Sequence, residues 1–331
     1  MNVTPISPTA MAVRVEAIQA VEGELMAVAD AAATAETPAA ETRPQPPAST
    51  PGKAVDVARA QAAGRQASLA PLFADLAQAM TAPVLSAPVR AAIAKVLALQ
   101  TPLAGPWTAE TLKQAVAQSG LFLEAHLAAA GRRDPPPADL KAALLTLQQA
   151  LGPVRPTAHA STAAPPARDA MLEGQPAQAA TLPTTADAPA IAQHLRGEAD
   201  QAIARQTLHQ LASLPDGPVT AWMFELPLAT PQGTALAQFE VERDGAAADP
   251  AEAWSARFSL DVEPLGPVHV QLSLNGAGAA VTVWAEREEG LVRLRLEGGE
   301  LAQALPAKVT FRPGAPSRPA PSPGAFVDQA S

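Results

Sequence analysis

Three successive runs of alternating side chains stand between Trp254 and Arg287, and no other stretch is so strongly patterned. Apolar residues fall at Trp254, Ala256, Phe258, Leu260 and Val262, then at Val268, Val270, Leu272 and Leu274, then at Val281, Val283 and Ala285. A period of two puts one set of side chains on one face of a pleated strand, so each run is read as a strand with one buried and one wet face. Pro264-Leu265-Gly266-Pro267 cannot continue a ladder, and Asn275-Gly276 supplies the positive φ angles of a tight hairpin. Three antiparallel strands in a meander are therefore expected.

Two strands are expected before the meander, Trp222 to Leu228 and Ala235 to Arg243, and a short one after it, Lys308 to Arg312. Between them, Val292, Leu294 and Leu296 alternate with Arg293 and Arg295 as in a strand. Leu291, Leu294, Leu301 and Leu305 instead fit a helical face interrupted by Gly298-Gly299. We read a helix, because a sheet with a one-sided apolar face needs a cover.

Upstream, Leu69, Leu72, Leu76 and Met80 share a helical face. Ser86 and Pro88 start a second helix carrying Ile93, Val96 and Leu97; Thr108 and Glu110 start a third carrying Leu112, Val116, Leu123 and Leu127. Leu140, Leu144, Leu147 and Leu151 mark a fourth, and each has one apolar stripe, so the four are expected to pack as a small bundle. Ile191 to Leu214 returns to helical spacing. Met11 to Val28 is spaced as an amphipathic helix, marginal by itself.

The fold class is thus α+β: a small, mostly antiparallel sheet with a covering helix, preceded by a helical bundle and long disordered segments. The expected division is a leader over 1–66, a helical block over 67–152, a Pro/Ala-rich linker over 153–189, a helix over 190–215, the α/β end domain over 218–313 and a tail over 314–331. Composition supports the loose segments: 35 prolines, and only 3% aromatic residues among 331, leave much of the chain unable to fill a core.

A net charge of -9 and few lysines argue against a nucleic-acid or anionic-membrane surface, which needs a basic stripe. There is no cysteine, hence no disulfide or thiol chemistry. The first residues lack a basic region followed by an apolar core, and no membrane-length apolar run exists.

The pattern LxxxPLGxVxVxLxL, here Leu260, Pro264, Leu265, Gly266, Val268, Val270, Leu272 and Leu274, is followed by Val281, Thr282, Trp284, Ala285, Glu286 and Arg287. Together they resemble the carboxy-terminal domain of the flagellar hook-length control protein family. Ser119 to Gly131, SGLFLEAHLAAAG, and the WMFELPL strand are similar to that family as well, so the resemblance covers the chain from about Leu69 onward. Gly298-Gly299 departs from it, since members usually carry an uninterrupted helix there. The resemblance implies a substrate of the flagellar type III export apparatus, cytoplasmic and then secreted, that meets hook subunits or the hook cap. It also implies an end domain that acts on the cytoplasmic domain of the export-gate switch protein, so that export changes from hook to filament subunits. A secreted structural or adaptor protein using the same domain is the alternative.

Candidate partner-binding residues are Leu260, Pro264, Leu265, Gly266, Val268, Trp284 and Arg287. Trp284 is included because Val283 and Ala285 face the other way, which would leave it free to form an apolar patch with Leu265. Catalytic, cofactor-binding and metal sites are not expected. Gly276-Ala277-Gly278 leads into a strand rather than a helix, and no nucleophile elbow, zincin motif or Walker loop occurs. His194 and His209 lie too far apart along one helix to share a metal and are read as surface residues; His269 is placed on the polar face.

Overall fold

The computed structural model describes residues 51–105, 107–130, 138–153, 163–168, 170–215, 219–244, 254–275, 278–304 and 307–317. The expected helix at Met11 to Val28 lies outside them. Seven strands form one sheet in sequence order: β1 (Thr101–Pro102), β2 (Val219–Thr230), β3 (Gly233–Asp244), β4 (Trp254–Val262), β5 (Gly266–Asn275), β6 (Gly278–Ala285) and β7 (Ala307–Pro313). β2 to β6 run antiparallel, whereas β1 joins β2, and β7 joins β6, in parallel.

The register follows from the period of two. Leu260 pairs with Val268 and Val268 with Ala285; Phe258 pairs with Val270 and Val270 with Val283. One face is therefore continuously apolar, because a slip of one residue would turn every one of these side chains to the opposite side. The same face runs on through Phe239 and Phe224, which stack on each other at 5.1 Å, while Phe239 also stacks on Phe258 at 5.2 Å. Aromatic pairs of this kind add about 0.5–1.5 kcal/mol each beyond their buried area.

Two covers share that face. α4 (Ala109–Ala117) and the turn after it bring Val116, Leu121 and Phe122 onto Trp222, Phe224 and Leu226. At the far end α8 (Glu288–Ala304) bridges β6 to β7 and lays Leu291 on Val268, Val281 and Val283. The helix read over the ambiguous stretch is present and continues through both glycines. Gly298 has a reason to be there: a β-carbon at this position would come within 2.3 Å of the Phe311 ring on β7. Gly299 faces open space. Gly299→Ala should then stabilise the chain by up to about 1 kcal/mol through helix propensity, while Gly298→Ala should give no gain, as thermal melts of both variants would show.

The other face carries the helices α1 (Pro51–Ala63), α2 (Leu69–Ala79), α3 (Ala87–Leu97), α6 (Leu140–Leu151) and α7 (Ala188–Ala212). Leu69, Leu76, Ile93, Leu144, Leu147 and Leu195 form one core, to which β3 contributes Leu236. Thr108, Asp139 and Asp187 cap their helices by accepting from backbone N–H groups at 3.1, 2.9 and 2.9 Å.

Three expectations are corrected here. The third helix breaks at Gly120, whose φ is 93°, and resumes as α5 (Leu123–Ala130). Its apolar residues go to the sheet rather than to the bundle, leaving Leu127 exposed. The long α7 takes its place among the other helices. Pro51–Ala63, read from composition as unstructured, is helical, because Ala62 lets it sit close to Ala204 and Leu208 of α7. Finally, the polar face of the sheet is not wet: Glu225, Glu240 and Ser259 are fully buried. α7 covers part of it. The rest is crossed by residues 170–187 as an extended strap, where composition suggests a linker. Gln175 makes two backbone hydrogen bonds with Leu236, at 2.8 and 2.9 Å. Glu173 N–H donates to Gln238 and Gly174 N–H to Ser259, both at 2.9 Å. Polar side chains on a sheet face thus serve as acceptors for a segment with no ladder of its own.

Candidate partner-binding site

The β4–β5 turn and the start of α8 meet at one end of the sheet. Leu265 N–H donates to Val262 O at 2.9 Å, closing the turn, and Gly266 follows with a φ of 72°. Arg287 lies across Gly266, where a β-carbon would come within 2.3 Å of its Nε. From there its Nη1 donates to both carboxylate oxygens of Glu263 at 2.8 and 2.9 Å. Gly290 in the first turn of α8 sits just as close to Leu265 O, at 2.4 Å for a β-carbon. Two glycines therefore allow the turn, the arginine and the helix start to converge.

Four of the seven candidate residues, Pro264, Leu265, Gly266 and Arg287, are brought together here. Leu260 and Val268 lie beneath them in the cluster under α8. Trp284 is elsewhere. It pairs with His269 on the opposite face of the sheet, lining a cleft of roughly 250 Å³ with Met171, Arg257 and Gln271. Leu265 and Trp284 do not form one patch, because β6 puts Trp284 on one face and the turn packs Leu265 against the other. His269 in that cleft is buried, and its Nε2 is hydrogen-bonded to Glu286 at 2.9 Å.

Val292 and Leu296, four residues apart on α8, are half and mostly exposed. In the sequence they read only as strand alternation; their four-residue spacing is the signal for an outward helical stripe. Two polar clusters were also missed. In the first, Arg205 of α7 grips Glu225 of β2 with three hydrogen bonds of 2.7 to 2.9 Å, both side chains fully buried. Gln238 donates to the same carboxylate at 2.8 Å. His209 stands 3.5 Å from it and is itself buried, so it is not a surface residue: α7 is the central helix and is covered on several sides. Burial alone would push the Glu225 carboxyl up, but Arg205 and His209 outweigh burial and hold it well below the ordinary carboxylate range.

The second cluster is Asp75, His194 and Glu198, whose donor atoms all lie within 4.8 Å of one another. His194 is not a surface residue either, as its Nε2 is 2.7 Å from Asp75 Oδ2. Burial, then the neighbouring Asp75 charge, push the Glu198 carboxyl up to about 9. Asp75 goes the other way: burial raises it, but the N–H groups of Leu182 and Thr181, the Thr181 hydroxyl and His194 together lower it. The spacing of His194 and Glu198 was visible in the sequence; the third member stands on another helix, far away along the chain.

Residues 242–309 match the family model described as flagellar hook-length control protein FliK. The match begins at the end of β3, takes in the meander and α8, and ends in β7, so it holds the whole convergence of turn, arginine and helix start. No curated protein and no solved structure matches the chain. Within the matched segment, Gly266 and Gly290 have close-approach roles that explain their residue types. Among the described residues, no helix is long and apolar enough to cross a membrane.

Proposed function

We propose that this chain controls flagellar hook length and switches type III export from hook to filament-type subunits. It does so by docking its carboxy-terminal domain on the cytoplasmic domain of the export-gate switch protein. The match to the hook-length control family over residues 242–309 is the observation that carries this reading. The role is one of binding, without a chemical step or a cofactor. The chain acts in the cytoplasm and then passes through the export channel, meeting hook subunits or the hook cap on the way. The leader, helical block and strap before the end domain are drawn out in transit: roughly 190 residues at ~3.3 Å each reach on the order of 600 Å.

For the docking surface we favour the end formed by Pro264, Leu265, Gly266 and Arg287, supported from below by Leu260 and Val268, with Val292 and Leu296 extending it along α8. Exposed apolar side chains beside an accessible arginine have the composition of an interface core with a polar rim. Trp284 would make a separate contact on the other face. The test is deletion of the gene in its host, scored by electron microscopy of hooks. Abnormally long hooks without filaments are expected, and normal flagella would refute the role. Complementation with Arg287→Ala tests the surface: its ion pair with Glu263 is exposed and screened by solvent, so folding should be kept while the switch is impaired.

A further inference from the structure

Where the strap meets the helical layer, two carboxyls and an imidazole converge on one buried point. His194 Nε2 stands 2.7 Å from Asp75 Oδ2, 3.2 Å from Thr181 Oγ1 and 3.8 Å from Glu198 Oε1. Asp75 is fully buried and Glu198 is 6% exposed. The orientation of Asp75 is set from the strap: its Oδ1 accepts from the N–H groups of Thr181 and Leu182 at 2.6 and 2.8 Å. Its Oδ2 is left facing His194 and the Thr181 hydroxyl. Glu198 is different. Its Oε2 is buried with no hydrogen-bond partner among the described residues, although the side chain is held beside a second carboxyl. A buried carboxylate oxygen in that position is costly unless a proton or a cation stands between the two groups.

We propose that Asp75, His194 and Glu198, with the Thr181 hydroxyl as a fourth donor, form a binding site for one divalent transition-metal ion of the zinc type. One imidazole nitrogen with carboxylate oxygens suits zinc and its neighbours better than magnesium or calcium, which take oxygen alone. In a tetrahedral site with bonds of about 2.0–2.1 Å, neighbouring donors stand roughly 3.3 Å apart, so the Asp75–His194 pair would open, and the His194–Glu198 pair close, by about half an ångström. Side-chain rotation covers that distance. The strap amides on Asp75 supply the outer support that orients a ligating carboxylate. The ion would tie α2, α7 and the strap together at a single point, and this inference does not depend on the role proposed above.

The full chain, stripped with a chelator, should be titrated with Co²⁺ followed by absorption and with Zn²⁺ followed by calorimetry. One equivalent of Co²⁺ is expected, with the visible bands of a four-coordinate ion that Zn²⁺ then abolishes. Glu198→Gln and His194→Gln should each weaken binding by on the order of 100-fold, the size of effect seen when a metal site loses support, or more. His126→Gln, which lies outside the cluster, should leave it unchanged. A proton shared between Asp75 and Glu198 is the competing arrangement. It predicts no saturable Co²⁺ or Zn²⁺ binding by the unsubstituted chain, and that result, or binding that survives Glu198→Gln in a folded chain, overturns the proposal. The unsubstituted titration decides even if a variant does not fold.

Discussion

Arg205→Met should cost on the order of 3–5 kcal/mol, a large fraction of the stability of an ordinary domain and a marked downward shift in thermal or denaturant melts. The loss does not measure the attraction between two charges. Glu225 would remain fully buried without its guanidinium, left among the described residues with Gln238, His209 and the strap's Gln175, which donates at 3.2 Å. Arg205 also donates to Gln66 at 2.6 Å and to Ala164 O at 3.0 Å, so its removal loosens α7, the loop after α1 and the segment 163–168 together. The double variant Arg205→Met with Glu225→Leu should recover most of the loss, since a well-packed apolar pair avoids desolvating either charge. A double variant no more stable than Arg205→Met would show that packing around the arginine, not the stranded carboxylate, sets the cost.

The same pair gives the chain an acid dependence of fixed sign. Glu225 is depressed from its ordinary value of 4.5 when folded, so the stability it contributes is present above that value and is lost as pH falls below it toward the folded value. Melting temperature should therefore decline on acidification below about 4.5, and the double variant should lose that part of the decline.

Gly174→Leu should lift the strap from the sheet. A β-carbon on Gly174 would stand 2.3 Å from Leu260 Cα and 2.4 Å from its carbonyl carbon, both backbone atoms of β4 that cannot move aside. Lifting would break the paired hydrogen bonds of Gln175 with Leu236 and withdraw Gln175 from Glu225. At about 1 kcal/mol for each neutral hydrogen bond, with a further penalty for acceptors left buried, a loss of several kcal/mol is expected. Amide hydrogen exchange distinguishes this from general damage: the amides of 173–175 should lose protection while the helical core keeps it. Unchanged protection there would mean that the strap does not rest on β4 as described.

The meander was legible because its code is local. Alternation along Trp254 to Ala285 fixed which side chains share a face, and Gly266 and the residues after Asn275 placed the turns, so register followed without knowledge of any other element. The helix over 288–304 was legible by a weaker argument, the need of an apolar face for a cover, and Phe311 against Gly298 explains why the glycine that argued against it is there. For the candidate site, sequence brought Pro264, Leu265, Gly266 and Arg287 forward as a motif. It could not separate Trp284 from Leu265, since which face a turn folds over is decided by packing.

What the chain determined by itself was therefore strand identity, the apolar face and the glycine-bearing turn of the end domain. What only the tertiary structure decided was the fate of the polar face. Nothing local in Glu225, Gln238 or Ser259 distinguishes a solvated side chain from a buried acceptor; that depends on Arg205, Gln175 and Gly174 arriving from other parts of the chain. Periodicity reports how a residue relates to its neighbours along the chain. Burial of a polar group depends on whether a distant partner can satisfy it, and for Asp75, His194 and Glu198 that partner is found only once α2, α7 and the strap have been brought together.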